Sequence, residues 1–447
     1  MSPDDRAREP TDEPDGGPAV RRLTDWDPDG LADLAEEHGT PLYVFDPERV
    51  RENCRRLRAA FPDAEIQYAA KAHTARETLR TVHDEGLAIE CASAGEVRRA
   101  LDAGVPGRDV TYTAVNPPAR DLDVVVDAWR SNPELTITAG AADTVDRLEE
   151  RGFDGRLRLR VNPGVGAGHH EKVVTGGHPK FGVGLDRAPA LAARAAEAFD
   201  FTGIHAHAGS GISGDDLADH RELVRRLGDL ARDLEADGIP VETVDVGGGF
   251  GVPYREEAPA LDLDAVAEAT REALGEIDGR LAVEPGRYVV ADAGVLLTRV
   301  NTVKEAPSAV VAGVDAGMTT LLRPSMYDAY HAVRNLDAVG ADRADAPDDA
   351  PDQERDTVGV TVAGPVCETA DLLCENRPLP RPERGDLLAV GNAGAYGYEM
   401  ASTYNSRPRP AEVTPDGEVL RRRETLADVS RLDRAKDSTP RRPEEEP

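Results

Sequence analysis

The sequence predicts an α/β fold, a (β/α)8 barrel followed by a mainly β domain. From about residue 42, short β-forming runs alternate with amphipathic helical stretches. Eight such runs fall within roughly 250 residues, the count and length of one barrel. After Gly294 the helical pattern stops, and strand-like runs are joined by turns and irregular loops. No G-x-G-x-x-G follows the first strand, which disfavours a doubly wound open sheet.

Residues 1–20 are acidic and Pro/Gly-rich and read as a disordered tail, without the apolar core of a targeting signal. Residues 21–41 are assigned to the β domain, with a helix and then a strand over Leu31–Val44. The barrel is assigned to 42–290. Its expected strands are Ile66–Ala70, Leu87–Cys91, Val110–Thr113, Leu135–Ala139, Leu157–Val161, Phe201–His205, Thr243–Val246 and Leu281–Glu284. Helical periodicity marks Thr74–His83, Ala94–Ala103, Ala142–Arg151, Pro189–Phe199, Asp215–Asp237 and Leu263–Leu274. The β domain resumes over 291–425, with strands expected at Leu296–Val303, Ala309–Val314, Val358–Val366 and Leu387–Val390. Residues 342–356 read as an acidic surface loop and 426–447 as a second disordered tail.

The 447 residues carry a net charge of -31. Such a surface repels nucleic acid and anionic membrane, so neither is expected as a partner. Only five lysines occur, and the dispersed acidity matches a salt-loving cytoplasm, where molar salt shortens the Debye length to about 3 Å. The four cysteines have no metal-ligand spacing and are expected to be reduced thiols. No metal is expected, and no apolar run approaches a membrane span.

Lysine scarcity gives Lys71 its meaning. It ends the first barrel strand in Tyr68-Ala69-Ala70-Lys71-Ala72-His73. Arginine stays protonated, whereas a desolvated lysine can lose its proton and form a Schiff base. A lysine snorkelling from a strand end fits the segment equally well. The other unusual segments also fall at strand C-termini, where barrels gather function. His205-Ala206-His207-Ala208-Gly209-Ser210 ends the sixth strand, offering an imidazole to stack on a ring and a hydroxyl for a phosphate. Gly247-Gly248-Gly249 follows the seventh and can form an anion nest. Glu284-Pro285-Gly286-Arg287 follows the eighth; it suits a protonated heterocycle, and a plain Glu284–Arg287 ion pair is its other reading.

Together these parts describe a pyridoxal 5'-phosphate (PLP) site. Over about residues 40–415 the chain resembles the fold-type III PLP-dependent decarboxylases, and within them the diaminopimelate branch. The resemblance implies that Lys71 carries PLP, that His207 stacks on its ring, and that Ser210 and Gly247 to Gly249 hold its phosphate. It implies Glu284 at the ring nitrogen, with Pro285 and Gly286 beside it and Arg287 between phosphate and substrate. Leu322-Arg323-Pro324-Ser325-Met326-Tyr327 resembles the substrate segment, making Arg323 and Tyr327 substrate ligands. Gly364-Pro365-Val366-Cys367-Glu368 resembles the catalytic Cys-Glu pair, and Gly394-Ala395-Tyr396-Gly397 would set Tyr396 over cofactor and substrate.

The ornithine branch has aspartate after that cysteine. Here Glu368 suits the distal ammonium of diaminopimelate, and Arg323 its distal carboxylate. A small buried hydrophobe is the other reading of Cys367. The implied reaction is decarboxylation of meso-2,6-diaminoheptanedioate to L-lysine, with Cys367 as proton donor, in a cytoplasmic homodimer that shares its active sites. Decarboxylation of ornithine, arginine or carboxynorspermidine is the alternative. Cys91-Ala92-Ser93 resembles the ornithine branch, while Gly211 and the loop 166–170 depart from the usual diaminopimelate pattern.

Overall fold

A computed structural model describes residues 18–165, 178–210, 212, 217–307, 309–338 and 355–433. The loop 166–170, Gly211, most of the expected acidic loop and nearly all of the N-terminal tail lie outside these residues. Eight parallel strands close into a barrel: Glu65–Ala69, Ala88–Cys91, Val110–Tyr112, Thr136–Ala139, Arg156–Asn162, Asp200–His205, Thr243–Asp245 and Arg280–Val283. Pairing of the eighth strand with the first completes the ring.

Period-two alternation sorts the strand residues. Ile66, Tyr68, Ile89, Cys91, Ile137, Leu157, Leu159 and Val244 join the large apolar cluster with the surrounding helices. The residues between them are polar yet also buried, among them Gln67, Glu90, Thr111, Thr138, Arg158 and Asp245. Arg158 on the fifth strand reaches Asp245 on the seventh at 2.8 Å, so the barrel interior is a charged network. Local chemistry starts the helices as expected. The Ser93 hydroxyl accepts from the Glu96 N–H, and the Glu96 carboxylate returns to the Ala92 N–H. A helix over Ala119–Ser131, between the third and fourth strands, had not been singled out from its periodicity.

The second domain is a nine-stranded mixed sheet centred on Gly294–Glu305, which pairs with Leu42–Phe45, Val310–Val314 and Leu387–Val390. Leu42–Phe45 therefore belongs to this sheet and not to the barrel. The expected barrel edge at residue 42 moves to the helix Pro47–Ala60. A run of four apolar residues carries no mark of its partner strand, so only the register decides: Leu42 opposite Leu297 and beside Ala411. Alternation again gives two faces. Leu42, Val44, Val295 and Leu297 pack with Leu31 and Leu34 of the helix Pro28–His38, whereas Tyr43 and Leu296 pack into the opposite cluster.

Leu372–Pro380 also pairs in this sheet, although its prolines and Asn376 at φ 44° conceal it in the sequence. The tail expected from residue 426 is ordered at its start, where Leu426–Val429 forms a short helix capped reciprocally by Thr425 and Asp428; residues 434–447 lie outside the described residues. Among the described residues, no helix is long and apolar enough to cross a membrane.

Candidate active site

Lys71 lies on a single 3-10 turn, Ala70–Ala72, directly after the first barrel strand. Its Nζ donates to Glu90 Oε2 at 2.7 Å, with the lysine side chain 41% exposed and the carboxylate 2%. Burial pulls the Lys71 pKa down, but the Glu90 and Glu284 carboxylates outweigh it and raise it above the ordinary lysine value. Glu284 leaves the eighth strand buried, with Oε2 3.2 Å from His205 Nε2. Donor atoms of His205, Asp245 and Glu284 lie within 4.8 Å of one another. Burial holds His205 neutral, its pKa lowered to about 3, and burial with the nearby Glu284 pushes Asp245 up to about 7. Glu284 Oε1 and His205 Nδ1 are buried without a hydrogen-bond partner among the described residues.

The loops after strands six, seven and eight touch through the glycines. The Gly247 N–H donates to Asp245 Oδ1 at 2.9 Å and the Gly248 N–H to His207 Nδ1 at 3.1 Å. Two of the three N–H groups expected to face an anion are thus engaged within the protein. The glycines are required by close approach instead: a Cβ on Gly248 would stand 2.1 Å from the Glu284 carbonyl oxygen. Gly247 and Gly249 also have φ of +74° and +109°. Ser210 is partly exposed at the end of the same loop as His207.

Arg287 opens the short helix Arg287–Val290 after Pro285 and Gly286. It does not pair with Glu284. It donates to the Tyr254 hydroxyl at 2.7 Å and lies 4.9 Å above the Tyr396 ring. Arg323 covers the Tyr254 ring at 4.7 Å and donates to His331 Nε2 at 2.8 Å. Arginine only donates, so His331 carries its proton on Nδ1 and gives it to the Gly391 carbonyl. Burial raises the Tyr254 pKa, but the Arg287 and Arg323 charges overcome it and lower the phenol. Arg287, Arg323 and Tyr327 line a cavity of about 670 Å3 with Tyr254 and Tyr330. Tyr396 connects it to the lysine loop, its N–H donating to the Ala72 carbonyl at 2.9 Å from a backbone at φ 56°. A tyrosine held in that region signals a position that the surroundings over-determine.

The described hydrogen bonds of Cys367 and Glu368 do not join them to this cluster. Cys367 is exposed, which removes the reading of a buried hydrophobe. Asn405 Nδ2 donates to its Sγ at 3.4 Å, and the Tyr404 hydroxyl donates to Glu368.

Residues 47–291 match the family model described as pyridoxal-dependent decarboxylase, pyridoxal binding domain. The chain belongs to this decarboxylase family. It is 43% identical over 417 residues to the diaminopimelate decarboxylase of Methanothermobacter thermautotrophicus, covering 89% of this chain and 92% of that one. The Streptomyces coelicolor diaminopimelate decarboxylase is 37% identical, with 89% and 90% covered. A crystal structure of the Helicobacter pylori diaminopimelate decarboxylase complexed with L-lysine superposes with a TM-score of 0.79 at 32% identity, covering 90% and 98%.

The pyridoxal-dependent decarboxylases take PLP, and the residues present fit it. A lysine amine reaches the barrel mouth, and an orphaned buried carboxylate oxygen on Glu284 faces the interior, where a protonated ring nitrogen would satisfy it. The motifs marked Lys71, His207, Glu284, Arg287 and Arg323. They did not mark Glu90 or Tyr254. The only signal for Glu90 was a charge at a position whose neighbours in the strand, Ile89 and Cys91, face the apolar shell.

Proposed function

We propose that this decarboxylase converts meso-2,6-diaminoheptanedioate to L-lysine and CO2. The observation that carries the substrate is the buried guanidinium of Arg323 beside the partly buried Arg287, both lining one cavity. A second, distal carboxylate suits the buried Arg323, whereas ornithine has no distal carboxylate to pair with it. The full-length likeness to diaminopimelate decarboxylases supports the same choice.

PLP supplies an aldehyde for a lysine and a ring that accepts the electron pair left behind by CO2. In this reading Lys71 holds the cofactor covalently, Glu284 meets its ring nitrogen, and His207 lies against the ring face. Ser210, Gly247 to Gly249, Gly286 and Arg287 surround its phosphate. Arg323 and Tyr327 bind the distal carboxylate, and Tyr396 closes over the site. Cys367 and Glu368 come from a second copy of the chain, Glu368 taking the distal ammonium and Cys367 giving Cα its proton. Their exposed position, outside the hydrogen-bond network around Lys71, supports that assignment. The homodimer is taken to work in a salt-rich cytoplasm, in keeping with the charge of -31.

Release of CO2 from a panel of diaminopimelate, ornithine, arginine and carboxynorspermidine, with PLP in molar KCl, tests the reading. Only the meso-diaminopimelate reaction should yield CO2 and L-lysine in equal amounts. Comparable release from ornithine would overturn it.

A further inference from the structure

Covalent capture of an aldehyde needs Lys71 as a neutral amine, yet its surroundings favour the ammonium. Some group must take a proton from Nζ. The charged or titratable groups that sense it include Glu90, Cys91 and Glu96 at the second strand, His207 after the sixth, Glu284 on the eighth and Tyr396 in the β domain. Burial disfavours protonation of His207, and its Nδ1 already accepts from the Gly248 N–H. Glu284 is turned toward His205 and Asp245, and a neutral phenol is a poor proton acceptor. Among the described residues, Glu90 is the one that hydrogen-bonds to Nζ, with Oε2 at 2.7 Å.

We propose that Glu90 is the proton acceptor for Lys71. The proton passes from Nζ to Oε2: one N–H bond breaks, one O–H bond forms, and the ion pair becomes a neutral amine beside a carboxylic acid. When Lys71 is released again as an amine, Glu90 returns the proton. The exchange needs no further reactant and creates no net charge.

The position of Glu90 makes its carboxylate readier to take a proton. Its side chain is 2% exposed, so burial penalises both charges and raises the Glu90 pKa. Glu284 repels the Glu90 anion, as does Glu96, which hydrogen-bonds to the Ala92 N–H. Cys91, next to it, is buried and its thiol pKa is pushed well up. His205 also faces it, but burial keeps that ring neutral. Arg160 is the remaining cation that senses Glu90, and it stacks 5.1 Å from Phe181 without a hydrogen bond to the carboxylate.

The inference rests on PLP at Lys71 and is independent of which amino acid is decarboxylated. It is tested on the cofactor-stripped full chain, by following the rise of the visible PLP–lysine band in stopped flow between about pH 6.5 and 8.5, the span around neutrality where an ordinary lysine is protonated. With an internal acceptor, the wild-type loading rate should be nearly independent of pH. In Glu90→Gln the proton must leave to solvent, so the rate should climb about tenfold per pH unit below the lysine pKa. Glu90→Asp keeps a carboxylate and should keep the flat profile, which separates proton transfer from a packing defect. Identical profiles in wild type and Glu90→Gln, or a Glu90→Asp profile as steep as that of Glu90→Gln, would overturn the assignment. A failure of the substrate panel would leave this result untouched.

Discussion

Tyr254 keeps two guanidinium groups in one cavity, accepting from Arg287 and lying under Arg323. Tyr254→Phe removes the acceptor and leaves the ring. Losing a hydrogen bond to a charged group costs about 1.5–3 kcal/mol, so kcat/KM for the dicarboxylate should fall roughly tenfold to a hundredfold. Steady-state kinetics decide it, and an unchanged kcat/KM would mean that Arg287 holds its place without the phenol. The same arithmetic applies to Glu368→Gln, which should lower kcat/KM for meso-diaminopimelate about tenfold or more while PLP affinity stays level. Equal losses in both quantities would remove Glu368 from the substrate. Lys71 was legible because lysine is rare in this chain and ends a strand. Tyr254 was not, because Val-Pro-Tyr-Arg reads as an ordinary loop and its partners come from distant segments.

At the scale of elements, two contacts bear on the candidate site. The first is the meeting of the loops after strands seven and eight. Gly248→Ala would drive a methyl into the Glu284 carbonyl, 2.1 Å away. Overpacking of this kind costs about 1–3 kcal/mol. It should appear both in denaturant unfolding and as weaker PLP binding, because Glu284 moves with its backbone; stability loss with unchanged PLP affinity would separate the two. The second contact joins the domains. Buried His73 stacks on Phe45 at 4.1 Å and meets Glu412 at 2.7 Å, and Arg421 bonds Glu399, which accepts from the Thr74 N–H.

Burial pushes the Glu399 pKa up, but Arg421 and His73 overcome it and hold it near 2, against an ordinary 4.5. A depressed carboxyl stabilises the fold above its unfolded pKa, and that contribution disappears as pH falls through the folded value. About 3 kcal/mol should therefore be lost between pH 4.5 and 2. Denaturant titrations across that range should show the loss in wild type and much less of it in Arg421→Met. An equal acid dependence in both proteins would show that the pair does not control it. The strand–helix alternation made the barrel elements legible, whereas this interdomain contact joins residues that no local pattern connects.

For the whole molecule, the proposed supply of Cys367 by a second copy of the chain predicts complementation between chains. Lys71→Ala and Cys367→Ala should each be nearly inactive alone. Unfolded and refolded together in equal amounts, about half of the dimers should be mixed under two-fold pairing. Each mixed dimer holds one site with both residues and one with neither, so recovered activity should approach roughly a quarter of wild type. Mixed dimers that form and recover nothing would place both residues in one site of a single chain.

The sequence alone determined the barrel, the trailing β domain and most of the residues that meet at the strand ends of the candidate site. Each of these rests on information carried within a few residues: a period of two or 3.6, a glycine run, a lysine where arginine abounds. Tertiary structure decided which sheet receives Leu42–Phe45, since a short apolar run pairs wherever register and neighbouring packing allow. It also decided that His205 faces Glu284 while His207 accepts from Gly248, and that Arg287 turns to Tyr254 and not to Glu284. Those choices belong to contacts between strand ends far apart in the chain. Burial then sets the charge of each group, and burial exists only once the barrel has closed.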